Sequence, residues 1–477
     1  MRIAIQNFLY VFPRGFVNYS KTEERYRLGL LTQLYIWSII FEPLLLFLIG
    51  SQATTGVGLN FGRILQVGVL TGLIFRFLMK PSSIRIPNPF NDQLRFYFLF
   101  IFYTIFAGAL GLLLGKYVYT GTVLPGQSVF AFINTPSMRP IWEYITLLFQ
   151  FIYFILLAPY FLRGGREVSY FFKAFSVMAM IHLVVGLIDF AFSTIGIDIV
   201  PRHLSDWRHV GVRFHGIAGE PRDAFVYLIT IIFILGLKSL WERNSIEFST
   251  SLVAIIAFSL IATQSGSGIV GLFIAILIIS IFGFNKISFR RIASVILLIF
   301  LALLLVYIAF ITSERLQVYL TYSSVVQELF LNTSLEVPLL VQTQYNNIYP
   351  IIELYQDLIN LNPIPMLFGS GLGSSGFANS RTGVYESFTN PHSQITRTVF
   401  ETGLFGTFLF IYAIRKVSLQ STEFLSRSSQ QYLLWLIMLL LGCSLAHRST
   451  NLVICIGVLY AVTQQLHKRS LELRSST

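Results

Sequence analysis

The chain has 477 residues, of which 55% are hydrophobic and only 12% are charged, and its mean hydropathy is +0.69. A water-soluble domain of this length needs far more charge at its surface, so the composition predicts an integral membrane protein. The formal charge of +12 is spread between apolar runs and never forms a basic stripe, which argues against nucleic acid as a partner. Cys443 and Cys455 lie inside apolar runs, so neither a disulfide framework nor a cysteine metal site is expected.

Apolar runs of the length that crosses a bilayer core of about 30 Å as a helix recur along the chain. They predict an all-α polytopic membrane protein with negligible strand content. Before the first run, the segment 1–28 contains Pro13 and Gly15 and is predicted to be interfacial rather than a signal peptide. We place about twelve transmembrane helices at 31–50, 59–79, 96–115, 141–162, 170–195, 223–240, 249–263, 268–284, 293–312, 393–414, 430–446 and 451–466.

The distribution of cations between the predicted spans indicates the orientation of the chain, because lysine and arginine resist translocation. If the N-terminus is cytoplasmic, every short cytoplasmic loop carries at least two cations. On the other side, the loops 51–58 and 263–268 carry none, and the loop from about 116 to 140 carries only Lys116 and Arg139. Both termini are therefore predicted to be cytoplasmic.

Two loops on the predicted external side differ from the others, the first in its number of cations and the second in its length. The first, 196–222, holds Arg202, Arg208, Arg213 and Arg222 with His203, His209 and His215, and the second, 313–392, is far longer than an ordinary connector. In the second, 319–331 and 346–361 are amphipathic stretches that suit helices on the membrane face, and a Gly- and Ser-rich segment follows them. The predicted organisation is a cytoplasmic or interfacial segment 1–28, the first nine membrane helices over 29–312, the external loop 313–392, three membrane helices over 393–466, and a cytoplasmic tail 467–477.

The arginines on the external side suggest a phosphate-bearing ligand, since a guanidinium stays charged and matches phosphate with paired donors. Solvated loop charges or anchors for anionic headgroups are the alternative. Inside the predicted spans, Arg63 and Arg76 lie toward helix ends where they can snorkel, and Glu143 is placed to pair with a loop arginine. Arg397 and Glu401 have the i, i+4 spacing of a helical ion pair.

His392 is the best candidate for chemistry among the seven histidines. It follows Asn390-Pro391 at a junction between loop and helix, beside Arg397, which suits a general base facing the exterior. A zinc site at His203, His209 and His215 lacks the usual spacing, so no metal is expected. Ser265 in "TQSGSG" lies in a tight turn between helices rather than in the strand-to-helix elbow of a serine hydrolase.

Three motifs, in this order, resemble the O-antigen polymerase and O-antigen ligase superfamily. The first is "RFHGIAGEPRDAFVYL", whose Arg213, Gly216, Glu220 and Pro221 match the family's pattern before a span. The second is the small-residue hairpin "IATQSGSGIVGLFIAIL", and the third is "NPHSQITRTVFETGLFGTFLFI" after a long external loop. The likeness covers mainly residues 205–280 and 385–415, and Ser393 stands where the family commonly has asparagine.

The resemblance implies a helical membrane glycosyltransferase, similar to the large GT-C type, that works without a cofactor on the periplasmic face of a bacterial inner membrane. Its donor and acceptor would be undecaprenyl-diphosphate-linked glycans in the lipid bilayer, with a chain-length-determining co-polymerase as a candidate partner. By this analogy His392, Glu401 and Glu220 are the candidate catalytic residues, with the two glutamates as base or as groups that orient arginines. The candidate substrate-binding residues are Arg213, Arg222, Arg208, Arg397 and Arg381.

Three functions follow from these observations. The Gly-x-x-x-Glu-Pro element before the sixth span favours a polymerase of lipid-linked repeat units of O-antigen or exopolysaccharide. A ligase that transfers the finished glycan to lipid A core uses the same donor chemistry and is the alternative. A flippase or other transporter is the rival from a different class, and it would need paired charges near the middle of the bilayer.

Overall fold

The structure of the protein is a computed structural model. It describes residues 28–44, 47–49, 59–79, 91–118, 135–197, 199–200, 212–218, 220–243, 246, 249–282, 339–380, 393–446 and 449–476. Several sequence predictions lie outside these ranges, namely nearly all of the segment 1–28, the span at 293–312, the amphipathic stretch 319–331, and the site residues Arg208, Arg381 and His392.

Helices dominate the described residues, and the one exception is a short antiparallel pair of strands, Phe47–Ile49 and Leu59–Asn60. We number the helices α1 Leu30–Phe41, α2 Phe61–Met79, α3 Arg95–Leu113, α4 Arg139–Phe161, α5 Gly165–Ser193, α6 Pro221–Arg243, α7 Thr250–Ala262, α8 Gly266–Phe282, α9 Leu339–Ile359, α10 Ile364–Phe368, α11 Ser374–Ser380, α12 Gln394–Ser421, α13 Arg427–Ala446 and α14 Asn451–Ser476.

Seven described helices, α2 to α6, α12 and α13, are long and apolar enough to cross a membrane. Helices α1, α7 and α8 are shorter apolar helices. These elements confirm a helical membrane protein, while the number of twelve spans and the side on which the termini lie stay predictions. The predicted helix over 31–50 is wrong in its second half, because α1 ends at Phe41 and a strand begins at Phe47. Pro43 lacks the amide hydrogen that would continue the helix.

Close contacts at small residues hold the helices together. A Cβ added at Gly442 of α13 would lie 2.4 Å from the backbone nitrogen of Ala275 of α8. A Cβ added at Gly271 of α8 would lie 2.7 Å from Cys443 Cα of α13. Such contacts between small residues are how helices associate where lipid removes the hydrophobic driving force. Helix α4 contains a π-helical turn, Phe151–Leu156, and Gly457 of α14 packs directly on its Phe154 carbonyl. Helix α6 is enclosed on nearly all sides by this assembly.

Helices α3 and α12 run antiparallel, and aromatic contacts fix their register. Phe96 packs on Tyr412 at a ring-centroid distance of 5.0 Å, and Tyr103 packs on Phe405 at 5.2 Å. The same register places Arg397, near the beginning of α12, opposite Gly111, near the end of α3. The start of α12 and the end of α3 therefore lie on the same side of the protein.

Helix α12 bends at Gly403, which has φ 67° and ψ −178°. The left-handed backbone at this glycine interrupts the ladder of hydrogen bonds along the helix and leaves carbonyl groups before it without their usual partners. Three other groups satisfy these carbonyls. The Ser370 amide donates to Phe400 O (2.8 Å), the Gly371 amide to Glu401 O (2.9 Å), and the Tyr103 hydroxyl to Thr402 O (3.0 Å).

The substitution Gly403→Ala tests this bend. A Cβ at this position would lie against the carbonyl oxygen of Leu367, and the positive φ is unfavourable for alanine. We expect a loss of stability of roughly 1–3 kcal/mol, seen as a lower melting temperature in detergent. Gly68→Ala is the control, because no described atom outside the local backbone of α2 lies within 4 Å of a Cβ at that site. If the two variants melt alike, the bend at Gly403 is not needed for folding.

Candidate functional site

Four charged side chains meet where the beginnings of α4 and α12 come together, and we call them the ionic cluster: Arg139, Glu143, Arg397 and Glu401. Arg397 contacts both carboxylates, with its Nη2 2.7 Å from Glu143 Oε2 and its Nε 2.9 Å from Glu401 Oε1. Arg139 contacts Glu143 one helical turn away. All four residues are buried, with exposed fractions of 3–8%.

The segment Gly369–Gly373, which contains three glycines, closes over this cluster, and we call it the glycine loop. Gly369, Gly371 and Gly373 have φ values of 90°, 90° and 83°, which only glycine adopts readily. A Cβ at Gly373 would lie 2.7 Å from Arg139 Cγ. Directly after the loop, the Ser375 hydroxyl donates to Glu401 Oε1 at 2.6 Å. The glycines thus allow backbone to approach the charged side chains closely.

The charges of the ionic cluster balance, with two guanidinium groups against two carboxylates. Such a group is tolerated in a buried place because each ion is paired and hydrogen bonded. Arg397 Nη1 is buried and has no hydrogen-bond partner among the described residues. The same is true of the hydroxyl of Ser370, in the glycine loop. The site therefore offers a positively charged donor and a hydroxyl to an additional polar group.

Tyr117 lies just beyond α3 at the edge of the ionic cluster. Burial raises the pKa of Tyr117, and the carboxylates of Glu401 and Glu143 raise this pKa further, while Arg397 lowers it. The phenol therefore stays protonated, and its hydroxyl donates to the carbonyl oxygen of Leu372 at 2.7 Å. This bond ties the glycine loop to the end of α3.

Lys116 forms a second buried ionic group beside the first, which we call the Lys116 bridge. Its Nζ lies 2.7 Å from Glu353 Oε1 and 2.7 Å from Asp357 Oδ2, both on α9. The predicted amphipathic helix over 346–361 is present as part of α9, and this bridge anchors it beside the end of α3. The helices of the long loop are thus attached to the membrane helices by ion pairs that are largely buried.

Asp189, near the end of α5, holds both described ends of the 196–222 loop. Its Oδ1 accepts hydrogen bonds from the amides of Ile199 (2.7 Å) and Val200 (2.8 Å). Its Oδ2 lies 3.0 Å from His215 Nε2, on the other side of the loop. The segment of His215 also hydrogen bonds to α7, where the Phe214 amide donates to Ala262 O at 2.9 Å. Asp189 therefore fixes the position of the backbone that carries Arg213 and leads to Glu220.

His182 lies deeper in α5 and is fully buried. Neither ring nitrogen has a hydrogen-bond partner among the described residues. Its ring packs edge-on against Phe214 and Tyr227, and a Cβ at Gly216 would lie 2.7 Å from its Nδ1. The left-handed glycine, with φ 53°, is what lets the 212–218 backbone approach this ring.

The predicted site residues fall into two groups. Arg397 and Glu401 form the expected i, i+4 ion pair, and Glu143 pairs with Arg397 and Arg139. Glu220 and Arg222 contact each other at the start of α6, where both are partly exposed. Arg213 lies half-buried on the segment before them. Arg63 is half-exposed at 4.0 Å from Glu42, which agrees with a cation at a helix end.

Sequence reasoning did not single out Arg139, Lys116, Asp189 or Ser375. One signal was available, since "RPIWE" and "RTVFE" place an arginine and a glutamate four apart at the start of two predicted spans. Lys116 and Arg139 were also the only cations in a loop predicted to be external, whereas the short external loops 51–58 and 263–268 carry none. For Asp189 and Ser375 the sequence holds no comparable pattern.

Comparison with known proteins adds no relationship: no protein family, no curated protein and no solved structure matches this chain. Function is therefore argued from the geometry of the site itself.

Removing the Arg397 side chain should strongly destabilise the protein, because two buried carboxylates would lose their common partner. We expect Arg397→Met to lower the free energy of unfolding by roughly 3–5 kcal/mol. Lys468→Met is the control, since Lys468 is largely exposed and lies 4.0 Å from Glu472, an arrangement that stabilises little. The measurement is thermal unfolding in detergent. Equal melting temperatures for the two variants would contradict a structural role for Arg397.

The role of Asp189 can be tested by Asp189→Asn, which keeps the size of the side chain but removes its charge and one acceptor. We expect faster hydrogen–deuterium exchange at the amides of Ile199, Val200 and Phe214. These amides belong to the two loop segments that Asp189 holds, and weaker contacts to Asp189 would let these segments open more often. Asp92→Asn, at an exposed position before α3, should leave these amides unchanged. Unchanged exchange in Asp189→Asn would show that other contacts fix the loop.

Proposed function

We propose that this protein is a metal-independent membrane glycosyltransferase that polymerises polyprenyl-diphosphate-linked oligosaccharide units at the external face of the bacterial inner membrane. The observation that supports it best is the ionic cluster with its remaining donor at Arg397 Nη1. A guanidinium held on two sides by carboxylates is fixed in orientation, so its free edge is preorganised for an anion. A lipid-linked diphosphate is an anion that arrives at this depth from the bilayer.

The proposed reaction is an inverting transfer. The acceptor hydroxyl attacks the anomeric carbon of the donor sugar while the bond from that carbon to the diphosphate oxygen breaks. The electron pair leaves with the diphosphate, whose developing charge Arg397 and the arginines of the 196–222 loop stabilise. The proton of the hydroxyl passes to His392, which lies two residues before α12 begins at Gln394.

Contacts at Glu401 support an orienting role rather than that of the base. Its Oε1 already accepts from Arg397 Nε at 2.9 Å and from Ser375 Oγ at 2.6 Å. A carboxylate occupied in this way aims the guanidinium, and removing it would free Arg397 to turn. Glu220 stands in the same relation to Arg222. His392 is thus left as the proposed general base.

The position of the cluster favours an enzyme over a transporter. Arg139 and Glu143 lie in the first turns of α4, and Arg397 and Glu401 lie in the first turns of α12. The aromatic register with α3 sets Arg397 level with Gly111, close to the end of that helix. A transporter that opens to both sides in turn needs its charged site near mid-depth. A glycosyltransferase needs its cations where lipid and water meet.

Purified protein in liposomes, supplied with lipid-linked repeat units and no energy source, should produce longer glycans. His392→Ala should abolish this elongation, because the attacking hydroxyl would lose its proton acceptor. His467→Ala, an exposed histidine of α14, is the control and should elongate normally. Elongation by His392→Ala at the normal rate would rule out His392 as the base. Product found only when lipid A core is added would identify a ligase, and translocation without elongation would identify a flippase.

A further inference from the structure

Residues 358–380 have a composition that is compatible with the interior of a membrane. This segment, "LINLNPIPMLFGSGLGSSGFANS", contains no Asp, Glu, Lys, Arg or His. It begins directly after Asp357 of the Lys116 bridge and comprises the end of α9, α10, the glycine loop and α11. We define it as the uncharged segment. A stretch without ionisable groups is compatible with membrane depth, and the contacts of α10 give its position relative to the membrane helices.

The contacts of α10 place its end well below the end of α3. Helix α3 provides the scale, since its apolar residues run without interruption from Phe96 to Leu114 between Arg95 and Lys116. A helix of this length spans about 28 Å, which matches the hydrocarbon thickness of a bilayer. Phe368 packs on Phe106 at a ring-centroid distance of 6.2 Å. Because Phe106 precedes the end of α3 by seven residues, Phe368 lies roughly 10 Å below that end.

A second helix gives the same depth. The Leu367 carbonyl lies against Gly403 of α12, and the Gly369 backbone lies against Glu401 and Thr402. Gly403 follows the beginning of α12 at Gln394 by nine residues, which corresponds to about 13 Å. The Tyr103 hydroxyl, still further from the end of α3, donates to the carbonyl oxygen of Phe368 at 2.8 Å. Two antiparallel helices thus agree on the level at which α10 ends.

One face of the uncharged segment is apolar and exposed in the part of the chain that the structure describes. Leu361 is 91% exposed, and Ile364, Leu367 and Phe368 are 38–44% exposed. Leu361 adopts a left-handed conformation, with φ 59°, in the turn between α9 and α10. This face is continuous with exposed apolar side chains of the neighbouring helices, among them Phe102 and Phe106 of α3 and Phe405 of α12. The surface that α3 presents to lipid therefore extends onto the uncharged segment.

The backbone of the segment is also compatible with a membrane environment. Irregular backbone occurs at membrane depth only where its polar groups are satisfied by the protein. Ser370 and Gly371 donate their amides to carbonyls of α12, and Pro363 and Pro365 have no amide hydrogen. The Leu367 amide donates to Pro363 O (3.0 Å) and the Gly369 amide to Pro365 O (2.8 Å). Lipid would thus meet side chains and not unsatisfied peptide groups.

We propose that the uncharged segment is re-entrant. The chain leaves the membrane surface at the Lys116 bridge, inserts between α3 and α12 to the level of Gly403, and returns through the glycine loop and α11. The apolar face formed by Leu361, Ile364, Leu367 and Phe368 contacts the acyl chains of the bilayer. This proposal does not depend on the enzymatic function proposed above.

Spin labels on the full-length protein in lipid nanodiscs test the proposal. Labels at Leu361→Cys and Leu367→Cys should collide more readily with oxygen, which concentrates in the bilayer, than with a water-soluble nickel chelate. Leu99→Cys, on the exposed face of α3, is the apolar reference, and Ser426→Cys, between α12 and α13, is the aqueous reference. Cys443 and Cys455 are buried, so the unmodified chain should take up no label.

The results separate three environments. Oxygen-to-nickel ratios at positions 361 and 367 equal to that at position 99 support the re-entrant segment. Ratios equal to that at position 426 overturn it. Low collision rates with both reagents would mean that protein, such as a second copy of the chain, covers the face, and this also overturns it. A measurement without substitutions gives an independent check, because photoreactive groups on lipid tails should label peptides from 358–380 in the unmodified protein.

Discussion

The bend of α12 at Gly403 is the constraint on which the other features of the site depend. It removes helical partners from the carbonyls of Phe400, Glu401 and Thr402, and a buried carbonyl without a partner is costly. The glycine loop and Tyr103 provide the missing donors. The segment before the bend is thereby held against α3 and α4, and it carries Arg397 and Glu401. In a straight helix these carbonyls would be bonded within the helix and could not accept from the glycine loop. The ionic cluster would then lack the backbone that closes over it.

Charge balance explains how the cluster can be buried and still hold a guanidinium donor without a hydrogen-bond partner among the described residues. Two arginines and two glutamates cancel, so the group does not carry the large desolvation cost of an isolated ion. Yet a guanidinium has five donors, and the carboxylates that neutralise Arg397 use only part of them. Because Arg397 Nη1 has no partner among the described residues, the protein retains a donor of fixed direction without retaining net charge. A site of this kind would bind the proposed anion more readily if the ligand brought its own counter-charge or if a further cation took part.

The sequence was sufficient for the helices and for contacts within a helix, and insufficient for contacts between distant segments. Long apolar runs predicted helices such as α3, α5 and α13, since length and composition alone decide them. The pair Arg397–Glu401 followed from helical spacing. The failure at α1 has a local cause, Pro43, that was visible in the sequence. By contrast, the link from Lys116 to Glu353 and Asp357 joins residues more than two hundred positions apart, and no periodic pattern predicts it.

The glycine loop connects the exposed apolar face of α10 to the ionic cluster. On one side it continues α10, whose exposed Leu367 and Phe368 lie beside Phe106 of α3. On the other side Gly373 packs against Arg139 and Glu143, and Ser375 donates to Glu401. Only about seven residues separate these two environments, and three of them are glycines whose conformation no other residue adopts readily. The loop is also attached to α12, since the Ser370 and Gly371 amides donate to the carbonyls of Phe400 and Glu401. The proposed insertion of α10 into the bilayer would therefore couple the position of α10 to the segment that carries Arg397.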